Sequence, residues 1–308
     1  MLYLLGRRRH ILSLLFLSTW TVLGWTACVT PGGTAASRQG LMWEAQKGDQ
    51  IITLVGTMHV GVSPDEIPKA LWTRLDKADT VVTEVDLAGM NSALIKRYLL
   101  LPEQQNLEQL LGSDDWQRYR QIIGEAFPFI SKGQLQRMTP LSACSNLMMA
   151  EAHLAQKSSA ASQDQTSNVR DQISMDQYII EKAKEQKKTL HTFESLAEQF
   201  TLLEQVFTME QLREMLQDSD ENRSYYQKLS SSFKQGDSEA IDAMVATMPV
   251  KQREVLLDQR NQNWGKKLDQ LLSKQETFIA VGAAHLGGPK GLLKILEAKG
   301  FRLKALRL

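Results

Sequence analysis

The sequence predicts an α/β fold: a mainly parallel sheet made of two related strand–loop–helix–strand units, carrying a large helical insertion. Three observations predict it. Strand-like apolar runs alternate with stretches of helical periodicity, the pattern of a parallel sheet. Ile51-Ile52-Thr53-Leu54 runs into Val55-Gly56-Thr57-Met58-His59, and Phe278-Ile279-Ala280 runs into Val281-Gly282-Ala283-Ala284-His285. A glycine followed three residues later by a histidine therefore recurs at two strand ends. After each comes a proline, Pro64 or Pro289, then a helical pattern and another strand-like run.

The elements follow in order. Strand-like runs lie near residues 41–45, 51–55, 80–85, 189–193, 277–281 and 301–306. Apolar residues recur at three- and four-residue spacing near 93–101, 116–123, 141–154, 173–183, 196–207 and 256–272, each predicting a helix. The helical insertion spans about 90–270. Residues 158–167 are polar and low in complexity, which predicts an exposed loop. Residues 56–86 and 282–308 then form the two related units. In such sheets ligands bind at the carboxyl ends of the strands, where both histidines fall.

The N-terminus has a different character. Arg7, Arg8 and Arg9 precede an apolar run from Ile11 to Gly24, and the first 27 residues hold no acidic side chain. That run is short for a membrane span, which needs about 20 residues. A basic head, an apolar middle and a small-residue end predict an export signal over 1–27, with a retained anchor as the alternative. Trp25-Thr26-Ala27-Cys28 resembles a bacterial lipoprotein processing site, although Trp25 stands where an aliphatic residue is usual. Lipidation at Cys28 is therefore expected, and cleavage near Thr34-Ala35-Ala36 is the alternative. Residues 28–40 read as a tether, and 41–308 as the domain. The expected location is the periplasm or cell envelope, with the membrane reached through the lipid or anchor.

The chain's formal charge is +1, and three of its 36 basic residues lie in the leader, so the exported form stands at −2. No basic stripe interleaved with aromatic residues occurs, so nucleic acid is not an expected partner. Cys28 and Cys144 are the two cysteines. They form no disulfide framework, and Cys144 reads as a buried small residue.

Five histidines are present, and two at matched strand ends point to one shared site. Neighbouring strands lie about 4.8 Å apart, so if the two histidine-bearing strands are adjacent or nearly so, both imidazoles can reach one point. Metal–nitrogen bonds of about 2.0–2.1 Å would allow a shared divalent ion. Two satisfied structural histidines are the bland alternative. Gly56 and Gly282 would let the chain turn where a side chain clashes. Glu84 ends an apolar strand, where an unpaired carboxylate is costly, so it reads as a ligand or a general base. Asp86 either lines the same rim or caps a helix. Glu194 repeats the theme after the fourth strand or sits at a helix start. Arg260, beside Asn261, either clamps a carboxylate or oxyanion or lies on a solvated face. His191 reads as a packing or surface residue, and His153 has no partner in view.

Several segments together resemble the TraB/GumN family, to which the Tiki metalloproteases are related, in a superfamily that holds erythromycin-esterase-like and haem-binding ChaN-like proteins. They are Leu54–His59, Glu84-Val85-Asp86, Met175-Asp176-Gln177-Tyr178, Phe193-Glu194-Ser195 with Gln199, Asp258 to Trp264, and Val281 to Pro289. Ser174-Met175-Asp176 stands where a glycine–aliphatic–Asp run is commoner, and Phe193-Glu194-Ser195 stands for Leu-Glu-Thr. The resemblance covers about 41–308 and implies that His59, Glu84 and His285 are central, with Asp176, Glu194 and Arg260 near them. It implies a divalent-metal-dependent hydrolase of peptide bonds. His59, His285 and Glu84 would hold Mn²⁺, Co²⁺ or Zn²⁺, Glu84 would take a proton from the bound water, and Arg260 would steady the oxyanion. The rival readings are a metal-free esterase or amidase and a non-catalytic exported binder of peptide or haem.

Overall fold

The computed structural model describes residues 39–60, 62, 66–159, 174–272 and 276–307. The leader over 1–27, Cys28, most of the tether, Pro64, Ile173 and all but the start of the 158–167 segment lie outside the described residues.

A six-stranded sheet organises the chain: β1 (Gln39–Lys47), β2 (Gln50–Thr57), β3 (Thr80–Thr83), β4 (Thr189–Thr192), β5 (Glu276–Gly282) and β6 (Arg302–Arg307). Their order is β4-β3-β5-β2-β1-β6. β2 pairs with β5, β5 with β3, and β3 with β4, all in parallel. β1 alone runs against the rest, pairing antiparallel with both β2 and β6. The sheet is thus mostly parallel, as the alternation of elements predicts. The β1–β2 connection is a tight hairpin closed by the pair Lys47–Gln50, and Gly48, at φ 57°, supplies its left-handed residue.

The central strands read as unbroken apolar runs because both faces of the sheet are covered. Side chains alternate between the faces. Val55, Val81, Phe278 and Ala280 pack against α1 (Lys69–Lys77) through Leu71 and Leu75, and against α4 (Met175–Glu185) through Met175 and Ile179. Leu54, Val82, Ile279 and Val281 pack on the opposite face against Trp264 and Leu268 of α9 (Gln259–Leu271) and Leu292 and Leu296 of α10 (Leu292–Ala298).

The helical insertion falls into two stretches separated by β4, one before it and one after. It has a core of its own, where Trp116, Tyr119 and Ile123 of α2 (Ser113–Ala126) meet Leu147 of α3 (Pro140–Ser159) and Leu212 of α6 (Met209–Gln217). Cys144 is buried in that core, as expected. Between α4 and α6, α5 spans Leu196–Leu203 and stops short of the predicted 207, and after α6 come α7 (Ser219–Gln235) and α8 (Ser238–Ala246). The helix expected over 93–101 is instead a single α turn, Ser92–Leu94, followed by a π-helical turn, Ile95–Leu99. The loop expected over 158–167 begins inside α3, which runs to Ser159.

Candidate active site

The register of β2 on β5 places the two glycine–histidine segments side by side, with Gly56 opposite Val281 and Thr57 opposite Gly282. Beyond β3 and β4 the pairing continues for two more residues. Phe193 N–H donates to Thr83 O and Glu194 N–H to Glu84 O, each at 2.9 Å. That extension carries Glu84 and Glu194 together to the carboxyl edge of the sheet. An acidic residue ending an apolar strand needs a partner, and here both carboxylates have the same one.

The partner is Arg260, at the start of α9. A π-helical turn over Glu254–Asp258 precedes it, and the Leu256 carbonyl accepts from Arg260 Nη1 at 3.1 Å. Nε donates to Glu194 Oε1 at 3.0 Å and Oε2 at 3.1 Å. Nη2 donates to Glu84 Oε2 at 2.6 Å and Glu194 Oε2 at 3.0 Å. Nη1 also lies 3.1 Å from His285 Nε2. One turn on, Trp264 donates its indole N–H to Glu194 Oε1 at 2.7 Å and offers its ring face to the guanidinium at 4.8 Å. Gly282 N–H donates to Glu84 Oε1 at 2.7 Å. Arg260, Glu84, Glu194 and His285 are all buried.

The tautomer of His285 follows from its neighbours. Asn261 uses its amide nitrogen on His285 O at 3.3 Å and Lys290 O at 3.1 Å, so its oxygen faces His285 Nδ1 at 2.7 Å. The proton is therefore on Nδ1, and Nε2 is a bare acceptor for the arginine. Burial, with the Arg260 charge adding to it, pushes the His285 pKa down to about 3, so the ring is neutral. Burial would raise the Glu84 carboxyl, but Arg260 foremost, with His59 and the Gly282 N–H, holds it well below the usual carboxylate range.

His59 is a different kind of histidine. Its side chain is 63% exposed, and Nδ1 lies 2.9 Å from Asp176 Oδ2. Thr57 Oγ1 donates to Asp176 Oδ1 at 2.6 Å, fixing the carboxylate from the strand. Asp176 sits in the first turn of α4, where the helix dipole favours an anion. The Asp176 charge pushes the His59 pKa up to about 9, with Glu84 contributing in the same direction. His59 thus feels the charges of Glu84 and Arg260, but makes its close contact with Asp176.

Two sequence expectations change. Asp86 is not gathered into the site: it caps the turn Leu87–Gly89 and pairs with Lys184 at 2.8 Å. The glycines serve close approach rather than a sharp turn. A Cβ on Gly56 would lie 2.8 Å from Leu286 Cδ1, and one on Gly282 would lie 3.2 Å from Glu84 Oε1. Trp264 and Thr57 complete the site although neither was among the expected site residues. Trp264 was legible, since it stands four residues from Arg260 on the same helical face.

A divalent ion is tested by the donors present. His285 Nε2 has one lone pair, and Arg260 fills it. The carboxylates of Glu84 and Glu194 are engaged by the same guanidinium, which is itself a cation. The expected trio of His59, His285 and Glu84 does not assemble: among the described residues, no three His, Cys, Asp or Glu side chains are grouped as metal ligands. In this arrangement the donors do not fit a resident divalent ion. Arg260 also has no N–H left over for an oxyanion.

No curated protein and no solved structure matches the chain. The model of the TraB/PrgY/gumN family matches residues 41–305, which takes in the whole sheet apart from its outermost residues, His59 and the buried arginine cluster. The chain belongs to the TraB/PrgY/gumN family.

Proposed function

We propose that the protein is a hydrolase of amide or ester bonds, with peptides or proteins as its substrates, and that His59 is its proton-transfer group. The observation that carries this reading is the His59–Asp176 pair, an exposed imidazole whose Nδ1 lies 2.9 Å from a carboxylate oxygen and which feels the charge of the buried cluster. This is the arrangement that leaves Nε2 free for chemistry. Neutral His59 takes a proton from water through Nε2 as the water oxygen bonds to the substrate carbonyl carbon. The same proton then passes to the leaving nitrogen or oxygen as its bond to that carbon breaks. The Arg260 cluster holds the ends of β3 and β5 together and so fixes the floor beside His59. With its pKa near 9, the imidazole is mostly charged at neutral pH, and its basic form grows as pH rises.

Export and attachment to the envelope through Cys28 belong to the same proposal, supported by the basic and apolar leader. The test is an assay of the purified full chain on peptide, amide and ester substrates, with and without a strong chelator. Expected is turnover that survives the chelator and falls by about 10²-fold or more in His59→Ala. Turnover abolished by the chelator and restored by Mn²⁺, Co²⁺ or Zn²⁺ would replace this reading with a metal-dependent one. Tight peptide or haem binding without turnover would make the protein a binder.

A further inference from the structure

The cluster around Arg260 has the composition of a metal site and the occupancy of something else. Two carboxylates and a neutral imidazole surround the guanidinium without being drawn together as metal ligands, and the imidazole's protonated nitrogen is held by an amide oxygen. That last feature is how proteins orient metal-binding histidines. Glu84 Oε1 and His285 Nε2 are 3.7 Å apart. Two ligands bound tetrahedrally at about 2.0–2.2 Å would be about 3.4 Å apart. Glu84 and Glu194 converge on one amino group of the guanidinium, and His285 meets the other.

We propose that Arg260 is the resident cation of this cluster, filling the position that a divalent ion would need, and that removing its side chain uncovers a three-ligand metal site. The inference rests on the metal-free reading given above. Its physical basis is the direction of the donors. The single lone pair of Nε2 cannot serve both an N–H and a metal. The facing oxygens of both carboxylates point at the guanidinium, while Glu84 Oε1 and Glu194 Oε1 are further tied by Gly282 and Trp264. A planar group with five N–H donors satisfies such a ring of acceptors at once, where a small ion would need them drawn inward. The indole face at 4.8 Å suits the guanidinium and offers nothing to a coordinated ion.

The experiment uses the full chain, stripped with chelator and then exposed to Zn²⁺, Mn²⁺ or Co²⁺. Bound metal is counted by mass spectrometry, and the melting temperature is read with and without ion. Expected is equal metal content in the wild type and His285→Gln, and no metal-dependent rise in melting temperature in either. Arg260→Ala should take up about one zinc per chain and melt higher with zinc than without it. Both gains should vanish in Arg260→Ala/His285→Gln. A wild-type protein holding about one ion per chain that His285→Gln loses would overturn the proposal, as would a folded Arg260→Ala that gains none. If Arg260→Ala does not fold, the wild type and His285→Gln still decide. Failure to find hydrolysis would remove the functional reading and leave this titration standing.

Discussion

The two glycine–histidine segments occupy adjacent parallel strands, yet their histidines end in opposite states. His285 is buried and neutral, with both ring nitrogens committed to Asn261 and Arg260. His59 is mostly exposed and charged, with Nδ1 on Asp176 and its other nitrogen facing outward from that pair. The repeat sets the position of each imidazole at a strand end. Its neighbours set the protonation: a guanidinium and a tryptophan for one ring, a lone carboxylate for the other. One histidine belongs to the buried framework, and the other stands at the surface. A matched motif therefore predicts shared location better than shared chemistry.

The largest way to break this comparison is to remove Arg260. Arg260→Ala leaves Glu84 and Glu194 buried without their counter-charge, and breaking a buried ion pair in this way costs about 3–5 kcal/mol. Urea unfolding in metal-free buffer should show that loss, whereas His59→Ala, which alters an exposed ring, should leave the midpoint nearly unchanged. Equal losses for the two would mean that both histidine halves are framework.

Asn261→Leu acts more gently on the same half. It strips the acceptor from the His285 Nδ1–H, and leaving a buried donor unpaired costs about 1–3 kcal/mol. Gly56→Ala belongs in the same range, since the new Cβ presses on Leu286 and overpacking costs about 1–3 kcal/mol. It strikes the seam where the His285 turn sits on β2, so its effect should not add simply to that of Asn261→Leu.

Acid and alkali separate the halves by sign. His285 has its folded pKa pushed down to about 3, against about 6.5 in an unfolded chain. The unfolded state takes up the proton first, so stability falls as pH drops below about 6.5 towards 3. Glu84, held below its usual range, adds loss in the same acid direction. His59 has its folded pKa pushed up to about 9. Its contribution is complete below about 6.5 and is lost as pH climbs through about 9. Urea midpoints measured from acid to alkaline pH should show a clear acid limb and, because the His59 ring is largely exposed, only a shallow alkaline one, which His59→Gln should remove.

Much of this was legible in the chain. All six strands lie at the strand-like runs of the sequence, and the inner ones are apolar throughout because both faces of the sheet are covered there. Glu84 announced itself as a carboxylate that could not end an apolar strand unpaired. Its actual partner was not legible, since Arg260 lies 176 positions away on a helix whose π-helical turn no periodicity reports. Asp86 misled for a related reason: two residues past Glu84, the chain has already turned outward to cap Leu87–Gly89. The reversed direction of β1 depended on a hairpin whose glycine turn is short and easily read as a loop.

Asp176→Asn makes the smallest change to stability and the sharpest test of the reactive half. The imidazole of the pair it breaks is open to water, and pairs with an exposed partner are worth about 0–1 kcal/mol, so the urea midpoint should barely move. The charge that raises His59 is gone, so its pKa should fall from about 9 towards the ordinary value near 6.5. If His59 acts as base, the rise of kcat/KM with pH must shift to lower pH by the same amount. The variant would then be less impaired at pH 7 than at pH 9, because more of its imidazole is already neutral while its orientation is poorer. An NMR titration of the His59 ring reads the pKa without any assay. A ring that shifts while the rate profile stays in place would show that some other group moves the proton.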